Sequence, residues 1–164
     1  MGSGLRIVLV VLASCLLIGC ADSSSSSSQV VVFERNFVEV ELSLVLHADG
    51  SAELAGTFTP EPGWHLYSTD LSMDGVDGLG RPTRMHVVSG ARASTPEASV
   101  ESYDLAIPAL DTSVPVYPDG PVTLTSDLEL SDGVVEVDVT YMACAADGGC
   151  RIPVVGHRVG IALP

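Results

Sequence analysis

The stretch FVEVELSLVL, residues 37–46, decides the fold class of this chain. Valine and leucine occupy every second position, and the positions between them begin with Glu39, Glu41 and Ser43. Successive side chains of a β-strand point to opposite faces of the sheet. The stretch therefore predicts a strand with one face buried in a core and the other in water.

The same alternation recurs along the rest of the chain. Turn residues at 48–51 separate the first strand from a second strand with Ala52, Leu54 and Phe58 on its buried face. No window shows a sustained helical repeat, and about seven short strands separated by turn signals predict an all-β protein with an antiparallel β-sandwich. Further strands are predicted at 64–67, 85–88, 122–130, 135–141 and 155–163, and irregular segments at 70–83 and 89–121. The last strand is predicted to bury Val155, His157, Val159, Ile161 and Leu163.

The charge of the chain excludes several classes of function. Its 164 residues include 21 Asp and Glu against seven basic residues, all of them Arg, which gives a formal net charge of −14. A nucleic-acid-binding protein needs a basic face that displaces counterions from phosphate, so nucleic acid is not an expected partner. Because the chain has no lysine, Schiff-base chemistry and a phosphate-binding loop of the Walker type are also excluded.

The N-terminal residues have the features of an export signal. Arg6 precedes an apolar run that is too short for a comfortable membrane span and is typical of a signal peptide. The run ends in the letters LIGC, which resemble a bacterial lipobox. We therefore expect a lipoprotein signal peptide at 1–19, a lipidated Cys20 with a serine-rich tether at 20–29, and a folded domain at 30–164. The domain would be exported and lipid-anchored to a bacterial membrane, on its periplasmic or extracellular face.

Two cysteines remain as thiols in the mature chain, Cys144 and Cys150, with five residues between them. An exported compartment permits disulfides, and a turn favoured by Asp147, Gly148 and Gly149 would bring the two sulfurs together. A disulfide that closes so small a loop adds only about 2–3 kcal/mol on the chain-entropy model, and a regular sandwich of this size should not need it. The pair therefore indicates a redox function, with a structural disulfide as the alternative.

The segment around the cysteines resembles a known active site. The letters VTYMACAADGGCRIP, residues 139–153, follow a V-T-Y-x2-C-x5-C-x2-P pattern that looks like the active-site segment in the N-terminal periplasmic domain of the thiol:disulfide interchange protein DsbD. Three other segments agree in order: WHLY at 64–67, GLGRPT at 78–83 and YPDGPV at 117–122. The resemblance spans residues 37–164. It implies an immunoglobulin-like sandwich whose two cysteines alternate between dithiol and disulfide.

The resemblance also implies roles and partners. Cys150 would form mixed disulfides with partner proteins, and Cys144 would resolve them. A cap loop would shield the pair, with its counterpart at residues 95–105 and Tyr103 as its aromatic residue. As a thiol:disulfide oxidoreductase without a cofactor, the domain would take electrons from a thioredoxin-like or membrane electron-donor protein and pass them to exported client proteins. The lipid on Cys20 would keep it near its membrane partner.

Five side chains are candidates for supporting this chemistry. The thiolate is the attacking species in disulfide exchange, and Arg151 could stabilise that negative charge next to Cys150. His65 could accept a proton, and Tyr67 or Tyr141 could pack against the disulfide or hydrogen-bond a sulfur. Pro153 closes the motif.

Two other functions fit the same residues. The sandwich could be a non-catalytic lipoprotein module that binds another envelope protein, with the disulfide as a structural bond. Alternatively, Cys144, Cys150, Met142 and a histidine could form a copper or zinc site, although no C-x-x-C or H-x-H spacing supports one.

Overall fold

The structure, a computed structural model, describes residues 26–108, 111–145 and 149–163. These residues form thirteen strands and no α-helix, which confirms the predicted all-β fold. The strand pairings within them are all antiparallel. In chain order the strands are β1 (Ser27–Arg35), β2 (Val38–Leu46), β3 (Ala52–Pro60), β4 (Trp64–Leu66), β5 (Arg84–Ser89), β6 (Ala91–Ala93), β7 (Glu97–Ala98), β8 (Tyr103–Ile107), β9 (Thr112–Val116), β10 (Val122–Leu130), β11 (Val134–Tyr141), β12 (Ala143–Ala145) and β13 (Val154–Ala162).

The large sheet has the strand order β1-β2-β3-β10-β6, and β7 also pairs with β10. Its inner face confirms the predicted alternation, because Val38, Val40, Leu42 and Leu44 of β2 are completely buried. On β3 the predicted inward residues are buried as well: Ala52, Leu54 and Phe58. The polar residues of the same strands lie on the outer, solvated face, as the sequence period requires.

The second sheet has the order β13-β11-β5 and packs its inner face on the large sheet. Val135, Val137, Val139 and Tyr141 of β11 are completely buried, as predicted. They join the apolar residues of β2, β3 and β10 in one core cluster. Two antiparallel sheets that share a core in this way form an immunoglobulin-like β-sandwich.

The last strand departs from the predicted alternation at its beginning. Val159 and Ile161 are buried as predicted, but Val155 is 58% exposed. A β-bulge shifts the register between β11 and β13, and Val154 takes the inward position opposite Tyr141. An extra residue in one strand reverses the side-chain alternation from that point, and a simple sequence period does not reveal where this happens.

The histidine of the last strand, His157, lies at the edge of the core and not inside it. Its ring packs edge-on against Phe33, with 4.8 Å between the ring centroids. Arg35 Nη1 donates a hydrogen bond to His157 Nδ1 at 2.9 Å. Both partners belong to β1, so His157 helps to join β1 to the second sheet.

The prediction of an irregular segment at residues 89–121 is wrong. The strands β6 and β7 complete the large sheet, and β8 and β9 form a separate hairpin. These four strands are only 2 to 5 residues long. Runs so short contain too few positions for a period of two to stand out.

The first strand begins at Ser27, three residues before the predicted start of the domain. Ser27, Ser28 and Gln29 of the predicted tether pair with residues at the end of β2. The predicted signal peptide and Cys20 lie outside the described residues. Within residues 26–108, 111–145 and 149–163, no helix is long and apolar enough to cross a membrane.

Gly90 allows the chain to cross from the second sheet to the large one, between β5 and β6. Its φ is +85°, and a Cβ at this position would overlap the carbonyl group of Val134. We expect Gly90→Ala to lower the free energy of unfolding by more than about 2 kcal/mol, because it adds a clash with the backbone to the cost of left-handed geometry. Urea denaturation measures this loss.

Gly50→Ala is the matched control. Gly50 has nearly the same φ, +87°, but a Cβ there would have no atom within 4 Å. The control should lose only about 1 kcal/mol, the cost of left-handed geometry alone. Equal losses in the two variants would contradict the role assigned to the close approach between Gly90 and Val134.

Candidate functional site

The two cysteines lie on neighbouring antiparallel segments and form a disulfide. Cys144 is the central residue of β12, and Cys150 lies opposite it with 4.0 Å between the Cα atoms. Main-chain hydrogen bonds of 2.7 and 2.9 Å join the residues on either side of the pair. This is the non-hydrogen-bonded kind of cross-strand pair, in which facing residues approach most closely. The backbone itself therefore brings the sulfurs together, while Asp147 and Gly148 of the predicted turn lie outside the described residues.

The short strand β4 places two polar rings beside the cysteines. It pairs with β12 so that His65 lies opposite Cys144. Tyr67 follows two residues later, on the same side of the chain as His65. The chain continues past the cysteine pair, and Tyr67 forms isolated β-bridges to Pro82 and Val116. The predicted strand at 64–67 is thus confirmed, and it forms one side of the site.

The two cysteines differ in their access to solvent. Cys144 is only 3% exposed, whereas Cys150 belongs to the exposed residues. A reagent or a partner thiol therefore reaches the disulfide from the Cys150 side. Attack at Cys150 makes the buried sulfur of Cys144 the leaving group.

The hydroxyl of Tyr67 contacts both sulfurs. It lies 3.2 Å from Cys144 Sγ and 3.9 Å from Cys150 Sγ. Sulfurs in a disulfide carry no hydrogen, so the phenol is the donor in both contacts. Burial raises the pKa of Tyr67, which keeps the phenol protonated at neutral pH. Of the two tyrosines considered from sequence, Tyr67 is therefore the one that reaches the sulfurs.

The histidine beside the pair, His65, is 5% exposed. Burial lowers its pKa, and the negative charge of Asp119 opposes that shift only in part. Its ring lies edge-on to Tyr67, with 6.2 Å between the centroids. His65 is therefore neutral at neutral pH and packs against the tyrosine that contacts the sulfurs, and it brings no positive charge to the site.

An apolar cleft of about 340 Å³ opens onto the disulfide. The β8–β9 hairpin forms one wall of the cleft with Leu105, Ile107 and Val114, and Leu79 of the 70–83 loop also lines it. Both cysteines line the same cleft. The hairpin therefore borders the cleft that leads to the disulfide.

The cap loop predicted at 95–105 meets the lining of this cleft only at Leu105, while residues 105–108 all line it. The position of a cap stays a prediction. Tyr103 is 48% exposed and is not among the residues that line the cleft. Tyr103 shares a face of β8 with Leu105 and Ile107 but is the first residue of the strand. On this side the cleft is therefore lined by aliphatic side chains, and Tyr103 is not among the lining residues.

The charged side chain next to Cys150 is turned towards aromatic rings. The guanidinium carbon of Arg151 lies 3.8 Å from the ring centroid of Phe37 and 4.5 Å from that of Trp64. Within the described part of the chain, Arg151 forms no hydrogen bond to either sulfur. In the disulfide form this charge therefore lies against the aromatic rings and not on the sulfurs.

The other two supporting candidates, Tyr141 and Pro153, contribute to the fold around the site. Tyr141 is completely buried and packs edge-on against Phe58, with 5.7 Å between the centroids. Its hydroxyl donates to the carbonyl oxygen of Arg35 at 3.1 Å, and burial raises the pKa of Tyr141 to about 12. Pro153 is partly exposed and precedes the first residue of β13. These residues position the strands on either side of the cysteine loop.

The residues of the hypothetical copper or zinc site are not assembled as a ligand set. Both cysteine sulfurs are bonded to each other. Among the residues that the structure describes, no group of three or more His, Cys, Asp and Glu side chains is close enough to hold a metal ion.

Sequence reasoning missed the aromatic pair that contacts Arg151. Phe37 was assigned to the start of a strand, whereas it lies in the two-residue turn between β1 and β2. The available signal was Asn36, which tolerates left-handed backbone geometry and follows an apolar run of three valines and Phe33. The β8–β9 hairpin had a similar signal, since Leu105 and Ile107 alternate with polar or small residues.

No model of a known protein family matches this sequence, and no curated protein matches it. Among solved structures, the chain is similar to the N-terminal periplasmic domain of ScsB from Proteus mirabilis, with 13% identity and a TM-score of 0.55 over 85% of this chain. The match covers 52% of the ScsB chain, so the protein spans about half the length of that structure.

Two further structures are similar at lower scores. They are the N-terminal domain of Neisseria meningitidis DsbD in the reduced form (15% identity, TM-score 0.46, 66% of this chain and 75% of that one) and the KRT10-binding region domain of the pneumococcal serine rich repeat protein PsrP (14%, 0.44, 85% and 99%). The predicted resemblance is confirmed at the level of the fold by the N-terminal periplasmic domain of ScsB. At these identities the likeness to ScsB shows the fold alone: the chain has the sandwich fold of that periplasmic domain.

Proposed function

We propose that this domain is a thiol:disulfide oxidoreductase that passes reducing equivalents to exported client proteins through Cys144 and Cys150. The observation that carries the proposal is the asymmetry of the disulfide. Cys144 is buried beneath the hydroxyl of Tyr67, while Cys150 is exposed. Exchange needs both features, since attack takes place at an accessible sulfur and negative charge develops on the sulfur that leaves. A purely structural bond needs neither.

Client reduction begins with Cys150 as a thiolate. It attacks one sulfur of the client disulfide, forms a mixed disulfide and releases the other client sulfur as a thiolate. The thiolate of Cys144 then attacks the Cys150 sulfur, closes the Cys144–Cys150 bond and releases the second client sulfur. Two electrons pass to the client, and its two thiolates take up protons equal in number to those that the domain's thiols gave up.

A thioredoxin-like or membrane-bound dithiol reduces the Cys144–Cys150 disulfide again by the reverse of these steps. Its thiolate attacks the exposed sulfur of Cys150, and Cys144 leaves as a thiolate. The donor's second thiolate then releases Cys150, so the donor becomes a disulfide. The Tyr67 hydroxyl, 3.2 Å from Cys144 Sγ in the disulfide form, can donate to the leaving thiolate. Hydrogen bonds to an ionised acceptor are stronger than those to a neutral one, so Tyr67 favours this step.

The proposal includes an exported location and a lipid anchor on Cys20. The similar ScsB domain is described as periplasmic. The sequence features at 1–19 and the serine run support export followed by tethering. An anchor of this kind raises the effective concentration of the domain near a membrane-bound donor without any new contact.

A redox titration separates exchange from a structural bond. We expect the Cys144–Cys150 pair to equilibrate with a glutathione or dithiothreitol buffer at a potential in the range of thioredoxin-like proteins. Structural disulfides of exported proteins lie below about −300 mV and resist reduction by the glutathione pool. A potential well below that value would favour the non-catalytic envelope module and contradict the proposed function.

Single cysteine variants test the assigned roles. Cys144→Ser should accumulate a mixed disulfide with a thioredoxin-like protein whose second active-site cysteine is replaced and whose remaining cysteine carries a thionitrobenzoate group. The exposed Cys150 displaces thionitrobenzoate, and neither protein then has a thiol left to resolve the product. Cys150→Ser should form none, since its remaining thiol is buried. Non-reducing gel electrophoresis with mass spectrometry measures both. Undiminished trapping by Cys150→Ser would reverse the assignment.

Removing one hydroxyl tests Tyr67. Tyr67→Phe should slow reduction of the disulfide by dithiothreitol roughly three- to tenfold, because the leaving thiolate of Cys144 loses a hydrogen-bond donor. Tyr141→Phe is the control, since it removes a hydroxyl that is bonded to the main chain of Arg35. Stopped-flow or gel-shift kinetics give the rates, and equal slowing in both variants would indicate a general packing effect instead.

A further inference from the structure

Arg151, which directly follows the exposed cysteine, packs its guanidinium against two aromatic rings. Its guanidinium lies over the rings of Phe37 and Trp64, which are themselves stacked with 5.9 Å between centroids and 14° between their planes. Arg151 Nε is buried and has no hydrogen-bond partner within the described residues. The ring faces, which carry negative partial charge, are therefore the partners that offset burial of this cation.

Phe37 adopts a backbone conformation that a bulky residue rarely adopts. Asn36 and Phe37 form the two-residue turn between β1 and β2, with φ values of 51° and 68°. Turns of this geometry favour asparagine at the first position and glycine at the second. A phenylalanine with positive φ is an outlier, and such outliers persist where the side chain has a use elsewhere. Here that use is the ring surface under Arg151.

The same turn is fixed to the cysteine loop and to β4 by hydrogen bonds. Asn36 Nδ2 donates to the carbonyl oxygen of Ile152 at 2.7 Å. The Phe37 carbonyl accepts from the N–H of Glu61 at 3.0 Å, and the Glu61 carbonyl accepts from the N–H of Trp64 at 3.0 Å. The turn and Trp64 thus form one frame, and both of its turn residues contact the segment that follows Cys150.

We propose that Asn36, Phe37, Trp64 and Arg151 form a clamp that holds Cys150 beside Cys144 when the disulfide is open. Arg151 is then a positioning residue, which acts through the placement of Cys150 and not through its charge on the sulfur. The proposal deepens the proposed function, since it assigns how the reduced pair is kept ready to close. In the folded chain the main-chain N–H of Arg151 donates to the carbonyl of Ala143 at 2.9 Å. The clamp contacts the side chain of the same residue and keeps this hydrogen bond in place.

The clamp acts on the step that closes the ring. The Cys144 thiolate attacks the sulfur of Cys150 in a mixed disulfide, the intramolecular S–S bond forms, and the partner's sulfur leaves as a thiolate. With glutathione as the partner, the overall reaction converts one domain dithiol and one oxidised glutathione into one domain disulfide and two reduced glutathiones. Its equilibrium constant is the effective concentration of one cysteine at the other, which rises when both are held in place.

Phe37→Gly tests the clamp in a variant that we expect to remain folded. The substitution removes one ring but provides the Asn-Gly pair that this turn favours, so resistance of the oxidised domain to urea should be kept or increased. We expect the effective concentration, measured in glutathione buffers, to fall roughly three- to thirty-fold, the range expected for the loss of a cation–π contact. An unchanged effective concentration in Phe37→Gly would overturn the proposal.

Two further variants separate position from charge. Arg151→Leu removes both the cation and the clamp, and it should lower the effective concentration in the same direction as Phe37→Gly. Phe33→Leu is the matched ring control, because the Phe33 ring lies on β1, the strand that leads into this turn, and packs against His157. This variant should leave the value unchanged. The pH profile of Cys150 alkylation in reduced Phe37→Gly should match that of the unsubstituted domain. A profile shifted to higher pH would assign the effect to charge and overturn a positioning role.

The measurement distinguishes this proposal from the proposed function. A redox potential of the unsubstituted domain far below that of thioredoxin-like proteins would contradict the proposed thiol:disulfide exchange. The difference in effective concentration between Phe37→Gly and the unsubstituted domain would still test the clamp. Conversely, the unsubstituted domain could have a redox potential suited to exchange while Phe37→Gly has the same effective concentration. That result would contradict the clamp alone.

Discussion

The close cross-strand pairing of Cys144 and Cys150 is the constraint on which the site depends. The pair is of the non-hydrogen-bonded kind, with main-chain hydrogen bonds on either side and a Cα separation of 4.0 Å. β4 pairs with β12 independently of the sulfurs. The disulfide therefore closes a geometry that the backbone already specifies, and the strands do not rely on the covalent bond alone for their register.

The surroundings of this symmetric bond make its two sulfurs unequal. Cys144 is buried and lies at hydrogen-bonding distance from Tyr67, while Cys150 is exposed and followed at once by the clamped Arg151. The aliphatic β8–β9 hairpin borders the same cleft. The exchange proposed for this pair would require access, a donor for the leaving sulfur and a fixed position, and different segments of the chain are the candidates for each of them. The net charge of −14 does not contribute to these three features, because the interactions at the sulfurs are local.

Prediction from the sequence was accurate where strands are long and half-buried. The inner faces of β2, β3 and β11 follow directly from a period of two over eight or nine residues. It was wrong at Val155, where a bulge reverses the alternation, and at 89–121, where strands are too short to show a period. Tyr67 was correctly considered as a partner of the sulfurs, but Tyr141, its equal in the sequence argument, lies in the core.

The sequence by itself determined the all-β class, the faces of the long strands and the identity of the two cysteines, because these depend on local alternation and on spacing along the chain. Only the tertiary structure decided which sulfur is accessible, which tyrosine reaches it, and that Arg151 faces Phe37 and Trp64. Those properties arise from segments more than seventy residues apart in sequence that pack together, such as Tyr67 and Cys144 or Phe37 and Arg151. No local pattern encodes that distance, since it is set by how the two sheets and their turns close around one core.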